Sequence, residues 1–261
     1  MKAVNNSIPI FQAMGESEEL CTTYLNKGVI YRYLKLYDES IGEYLIAEQL
    51  ALENNLAGHL AGIYGNMGNV YFDQGNLSKA LKFHERSLEI DKLRGNQQGV
   101  GNTYHNIGMI FKARKDYGRA LENFKKSLEV DILKKNYRNI ALSYIEFTSL
   151  YAEMNNFSKA LDYAHQAFIL SDSLQSERLK LQALSYLPLL ESALGNHNKA
   201  IEYLNQYRSL NDSLNSDHLK AQIAEMQTLF ETAQKDQELA AQQQSISQQR
   251  YLLLGLALIF L

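Results

Sequence analysis

The chain repeats itself every forty residues, and that frame constrains its fold more than any other feature. Tyr64-Gly-Asn-Met-Gly-Asn-Val-Tyr71 recurs as Tyr104-His-Asn-Ile-Gly-Met-Ile-Phe111. Ser87-Leu-Glu-Ile-Asp91 recurs as Ser127-Leu-Glu-Val-Asp131. The frame extends back to Tyr24 and Gly28 and forward through Tyr144, Ala160, Gly195 and Tyr207 without a slipped position. Leu170-Ser-Asp-Ser-Leu and Leu210-Asn-Asp-Ser-Leu are again forty apart.

Each unit predicts two helices. Tyr64, Met67 and Tyr71 recur at spacings of three and four, the period of a helix face. Turn-prone pairs follow at Gly75-Asn76, Lys115-Asp116, Asn155-Asn156 and Gly195-Asn196. A second helix then carries Leu77, Ala80, Leu81, His84, Ser87 and Leu88 on one face. Gly28, Gly68 and Gly108 stand inside first helices, where glycine costs about 1 kcal/mol relative to alanine. A recurring cost of that kind predicts a close helix contact, and the expected partners are Ala80, Ala120, Ala160 and Ala200. Only two prolines, Pro9 and Pro188, punctuate 261 residues, which favours an all-α chain over a turn-rich β fold. Pro188 falls inside a predicted first helix, where it removes a hydrogen bond and predicts a kink.

Tyr64, Met67, Gly68, Tyr71, Ala80 and Leu88 resemble the tetratricopeptide repeat signature. The resemblance covers residues 21–215 as five forty-residue units, with a partial repeat at 1–20. It implies antiparallel helix pairs stacked into an all-α solenoid, a right-handed superhelix; a long C-terminal helix is read separately from residues 216–250, which contain no Gly or Pro. The family's usual proline after the second helix is missing, with Lys92, Ile132, Asp172 and Asp212 in its place. The second helix is therefore expected to run on.

Residues 216–250 lose the paired rhythm. Leu219, Ile223, Met226, Phe230 and Ala233 alternate by four and three before a glutamine-rich stretch. Two readings stand: a helix capping the last repeat, or a coiled-coil-like stalk forming a homodimer. Residues 251–261, Tyr-Leu-Leu-Leu-Gly-Leu-Ala-Leu-Ile-Phe-Leu, are apolar and read as the start of a transmembrane helix. Ile8-Pro-Ile-Phe-Gln-Ala-Met14 matches only the tail of a second helix, so a further half-repeat is expected upstream. The whole arrangement resembles the sensor region of membrane-bound signalling proteins common in the Bacteroidetes. In those relatives a histidine kinase or a DNA-binding domain follows the span.

Chemistry-bearing motifs are sparse. The six histidines, His59, His84, His105, His165, His197 and His218, include no pair at metal-ligand spacing. His84 takes an aromatic core position, and the single Cys21 reads as a small buried hydrophobe. No nucleophile elbow, phosphate loop or dinucleotide fingerprint occurs, so no catalytic residue, metal or cofactor is assigned. A net charge of −3 speaks against nucleic acid as a partner.

Binding remains. In the family the first helices line a concave groove, and matching positions place there Asn26, Arg32, Tyr33, Asn66, Asn69, Phe72, His105, Asn106, Lys112 and Glu146. Lys112 is expected to face solvent. Asn26, Asn66 and Asn106 recur at one repeat position, and each amide offers both a donor and an acceptor to a peptide backbone. Two functions follow. One is a protein- or peptide-binding sensor segment of a single-pass protein in a bacterial cell membrane. The other is a soluble, cytoplasmic adaptor in protein–protein assembly.

Overall fold

The computed structural model describes residues 13–215, together with Ile8, Pro9 and Phe11. Eight helices of equal length come first: α1 (Ser17–Tyr33), α2 (Tyr37–Glu53), α3 (Ala57–Asp73), α4 (Leu77–Leu93), α5 (Gln97–Ala113), α6 (Tyr117–Leu133), α7 (Tyr137–Glu153) and α8 (Phe157–Ser173). Each has 17 residues. Two short helices follow, α9 (Glu177–Leu184) and α10 (Leu187–Ala193), and residues 197–215 are helical. The described residues contain no strand. Within each pair the helices pack on one another, and each pair packs on the next, as a helix-pair solenoid requires. The first compact unit runs to Leu204; the second begins at Asn205 and is helical as far as it is described. The coiled-coil-like segment 216–250 and the apolar segment 251–261 lie outside the described residues, as does most of 1–12. Among the described residues, no helix is long and apolar enough to cross a membrane.

The true structural period is twenty. Residues with left-handed backbone stand every twenty positions, at Gly15, Lys35, Asn55, Gly75, Gly95, Lys115, Lys135, Asn155, Gln175 and Gly195. The connections after α1 to α8 and after α10 close in the same way. After α3, Gly75 N–H donates to the Phe72 carbonyl at 2.9 Å and Asn76 N–H to the Tyr71 carbonyl at 2.8 Å, the paired bonds of a Schellman end. The last residue of the same turn caps the next helix. Asn76, Asn96, Asp116, Asn136 and Asn156 each accept, through the side chain, the N–H three residues on. Three residues therefore end one helix and start another. The second helices run on through Lys92, Ile132 and Asp172, as expected, and the first helices of the first four units are equally long.

The close contact has a second partner besides the expected alanine position. A Cβ on Gly68 would lie 2.7 Å from His84 Nε2, and one on Gly108 would lie 2.5 Å from Phe124 Cδ1; Gly28 is crowded by Tyr44 in the same way. The glycine makes room for the residue sixteen positions later, one turn beyond the recurrent alanine. Ala80, Ala120 and Ala160 are fully buried nonetheless. In the first unit this position is Ser40, whose hydroxyl donates to the Gly28 carbonyl at 2.7 Å. Where glycine gives way to Thr148, the position sixteen on shrinks to Ala164, and both are buried. Pro188 stands in the first turn of α10, and Ser185 and Tyr186 interrupt what is one 17-residue helix in the other units. Cys21 is buried; its thiol donates to the Ala47 carbonyl at 3.4 Å, and burial pushes its pKa up to about 11.

Candidate ligand-binding trough

Three cavities run side by side along the first helices of the units. The first, about 610 Å³, is lined by Glu18, Leu25, Gly58, His59, Gly62 and Arg94 among others. The second, about 300 Å³, shares Gly58 and Gly62 with it and adds Gly65, Asn66, Asn69, Asp91, Asn96, Asn102 and Asn106. The third, about 330 Å³, shares Asn102 and Asn106 with the second and is closed by His105, Ser127, Asp131, Asn139, Leu142 and Ser143. Shared walls make them one trough across four repeats. Small residues at 58, 62 and 65 open it, and asparagine amides cover it with paired donors and acceptors.

The sequence-derived residues divide into three groups. Asn66, Asn69, His105 and Asn106 line the trough together. Arg32, Lys112 and Glu146 instead tie neighbouring units. Arg32 Nε donates to Asp73 Oδ2 at 2.7 Å, joining α1 to α3. Lys112 Nζ donates to Ser149 Oγ at 2.8 Å and to Glu146 Oε2 at 3.3 Å, joining α5 to α7. The Lys112 side chain is 15% exposed, so the expectation that it faces solvent is corrected. Asn26, Tyr33 and Phe72 line none of these three cavities; Asn26 and Tyr33 are exposed and Phe72 half-buried.

The floor holds what sequence reasoning passed over. Asp91 and Asp131 occupy one repeat position near the ends of α4 and α6, and both are buried. Asp91 Oδ1 accepts from Asn96 Nδ2 at 2.8 Å, with Arg94 Nη1 3.9 Å away. Asp131 Oδ1 accepts from Asn139 Nδ2 at 3.1 Å. Burial raises the Asp131 carboxyl above the usual range, against the pull of Asn139, His105 and Gln98. Burial also holds the His105 imidazole below its ordinary value, with Glu146 and Asp131 opposing. The signal was present in the sequence, since both acids recur at forty, but their recurrence reads as repeat frame. Their burial comes from α5 and α7 crossing over them.

The tetratricopeptide repeat model matches residues 19–93, 59–132 and 99–173 in overlapping passes. The chain belongs to the tetratricopeptide repeat family. Among solved structures, this repeat protein is similar to BtubC from P. vanneervenii, with a TM-score of 0.75, 19% identity, and coverage of 82% of this chain and 90% of that one. It is also similar to a signal transduction ATPase with a tetratricopeptide repeat sensor from Pyrococcus horikoshii (TM-score 0.69, 18% identity, 76% of this chain and 31% of that one). A third is the quorum sensor NprR from B. thuringiensis, in its apo form (TM-score 0.63, 15% identity, 80% and 59%). At these identities the likeness is one of fold. No curated protein gave a match. The repeat is a protein-interaction scaffold.

Proposed function

We propose that this repeat protein binds a peptide, or an extended segment of a protein, in the trough across its first four units, as the sensor segment of a signalling protein. One observation carries the reading: Asn66 and Asn106 line a single continuous surface with Asn69 and Asn102. They stand on α3 and α5, first helices in mutual contact. Packed helices lie about 8–10 Å apart, and three residues of an extended chain span about 10 Å. Successive amides of the ladder thus stand about three residues of an extended backbone apart. Each amide supplies two hydrogen bonds worth about 0.5–1.5 kcal/mol apiece, whatever the peptide's side chains. Two structural neighbours named as sensors, the P. horikoshii ATPase and NprR, support a sensing role. The apolar segment 251–261 favours attachment of that sensor to a bacterial membrane, with 216–250 as the connecting helix. The adaptor reading shares the same trough and dispenses with the anchor.

The test is retention from bacterial extract on the immobilised protein and on its Asn66→Ala/Asn106→Ala variant. Partners held by the first and lost by the second are expected, with circular dichroism unchanged between the two. Equal retention of every partner by both proteins would remove the trough as the binding surface.

A further inference from the structure

Asp131 is a carboxylate with 4% of its surface exposed. Among the described residues it forms no ion pair with a lysine or arginine. Its neighbours are the amides of Asn139 and Gln98 and the imidazole of His105. Taking a carboxylate out of water without a cation is costly. The repeat itself does not require an acid there. The equivalent positions in the first and fourth units are Ala51 and Ser171, both fully buried. Asp91, one unit earlier, has Arg94 within 3.9 Å. Asp131 alone among these faces a cavity, of about 330 Å³, while lacking a cation of its own. Leu142 lines the same cavity and offers an aliphatic surface, while Asn102, Asn106 and Ser143 offer oxygen acceptors around it. An aliphatic stem ending in a cation matches that lining: the methylenes lie on Leu142 and the charged head meets the carboxylate and the amide oxygens. An anionic or purely apolar side chain would leave Asp131 without a cation.

We propose that the cavity between α5, α6 and α7 takes a lysine or arginine side chain of the bound peptide, with Asp131 as its counter-ion; this rests on the trough being a peptide site. The inference names the ligand's chemistry: an extended peptide with a basic side chain positioned where the Asn106 amide holds its backbone.

Positional-scanning hexapeptide mixtures, fluorescein-labelled, with blocked termini and one position fixed, provide the probe. The fixed residue is lysine, arginine, citrulline, norleucine or glutamate, and binding is read by anisotropy. At one position the lysine and arginine mixtures are expected to bind about tenfold or more tighter than norleucine or citrulline, with glutamate weakest. Asp131→Asn, which keeps the side-chain shape, is expected to erase that preference. Asn66→Ala is expected to weaken all mixtures alike. Mixtures that bind, weaken with Asn66→Ala and show no basic preference would overturn this inference and leave the trough reading standing. Preference for glutamate, or a basic preference that survives Asp131→Asn with a native circular dichroism spectrum, would overturn it equally. No binding by any mixture to the wild-type chain would overturn both readings. The wild-type comparison of lysine with norleucine needs no variant, so the outcome does not depend on how Asp131→Asn folds.

Discussion

Phe124 and Gly108 occupy one another's space: a Cβ on the glycine would lie 2.5 Å from Phe124 Cδ1 and 2.6 Å from Cε1. The Phe124 ring is held on its other sides, 5.5 Å from the His105 ring and edge-on at 6.2 Å to Phe147. It has no free direction in which to yield. Gly108→Ala should therefore destabilise the protein by about 1–3 kcal/mol, even though alanine favours a helix by about 1 kcal/mol. Gly42, inside α2, has open space where its Cβ would go. Gly42→Ala should stabilise by up to about 1 kcal/mol. Urea denaturation of both variants checks the pair, and the same sign for both would contradict the packing. The Thr148 and Ala164 exchange suggests a stronger form. Gly108→Thr with Phe124→Ala should be less destabilised than the sum of the single variants by about 1 kcal/mol or more.

The forty-residue frame was legible because helices in a stacked array face the same environment at each repeat, so the pattern of Tyr, Gly and Ala is forced by packing. The aromatic position shows this: Tyr71 stacks on Phe83 at 5.3 Å, and Tyr151 on Tyr163 at 5.6 Å, two units apart. Sequence alone did not single out the residue sixteen positions on. Ala80 and His84 lie on the same helix face one turn apart, and periodicity does not say which of them fills the space that Gly68 leaves. Lys112 was misjudged for a related reason. Its bonds go to Glu146 and Ser149, 34 and 37 residues away, and depend on how far one unit is rotated on the next. The same rotation turned Asp131 from a repeat marker into the floor of a cavity.

Lys112→Ala should cost about 1–2 kcal/mol, because it leaves Glu146 and Ser149 without their shared cation in a half-buried place. Lys126 pairs with Glu122 at 2.6 Å on an exposed helix face. Lys126→Ala should stay within about 0.5 kcal/mol. Thermal or urea unfolding of the two variants separates them, and equal midpoints would argue against a structural role for the α5–α7 bridge.

The turn positions offer a gain in stability. Lys135 and Gln175 hold left-handed backbone, at φ of 55° and 51°, where Gly75 and Gly195 stand in other connections. Glycine has no Cβ to clash there. Lys135→Gly and Gln175→Gly should each stabilise by a few tenths to about 1 kcal/mol, net of the added freedom of the unfolded chain. Gly75→Ala should lose about 1 kcal/mol. Midpoints moving in the opposite directions would show that the helix ends do not set these conformations.

His84 makes the fold sensitive to acid. It is 1% exposed, its Nδ1 is buried without a hydrogen-bond partner, and burial, aided by the positive Arg32, lowers its pKa to about 4. In the unfolded chain the imidazole titrates near 6.5, so between pH 6.5 and 4 the unfolded state binds the extra proton. Stability contributed by the neutral ring is thus full above pH 6.5 and falls as the pH drops, by about 2–3 kcal/mol at pH 4.5. The third unit supplies the substitution, since Phe124 fills the same place beside Gly108. His84→Phe should raise stability at pH 7 by removing the unpaired nitrogen, about 1–3 kcal/mol. It should also narrow the gap between urea midpoints at pH 7 and pH 4.5. Asp131 and His105 titrate in both proteins, so the wild-type gap minus the variant gap isolates His84. A gap as wide in the variant as in the wild type would place the acid sensitivity elsewhere.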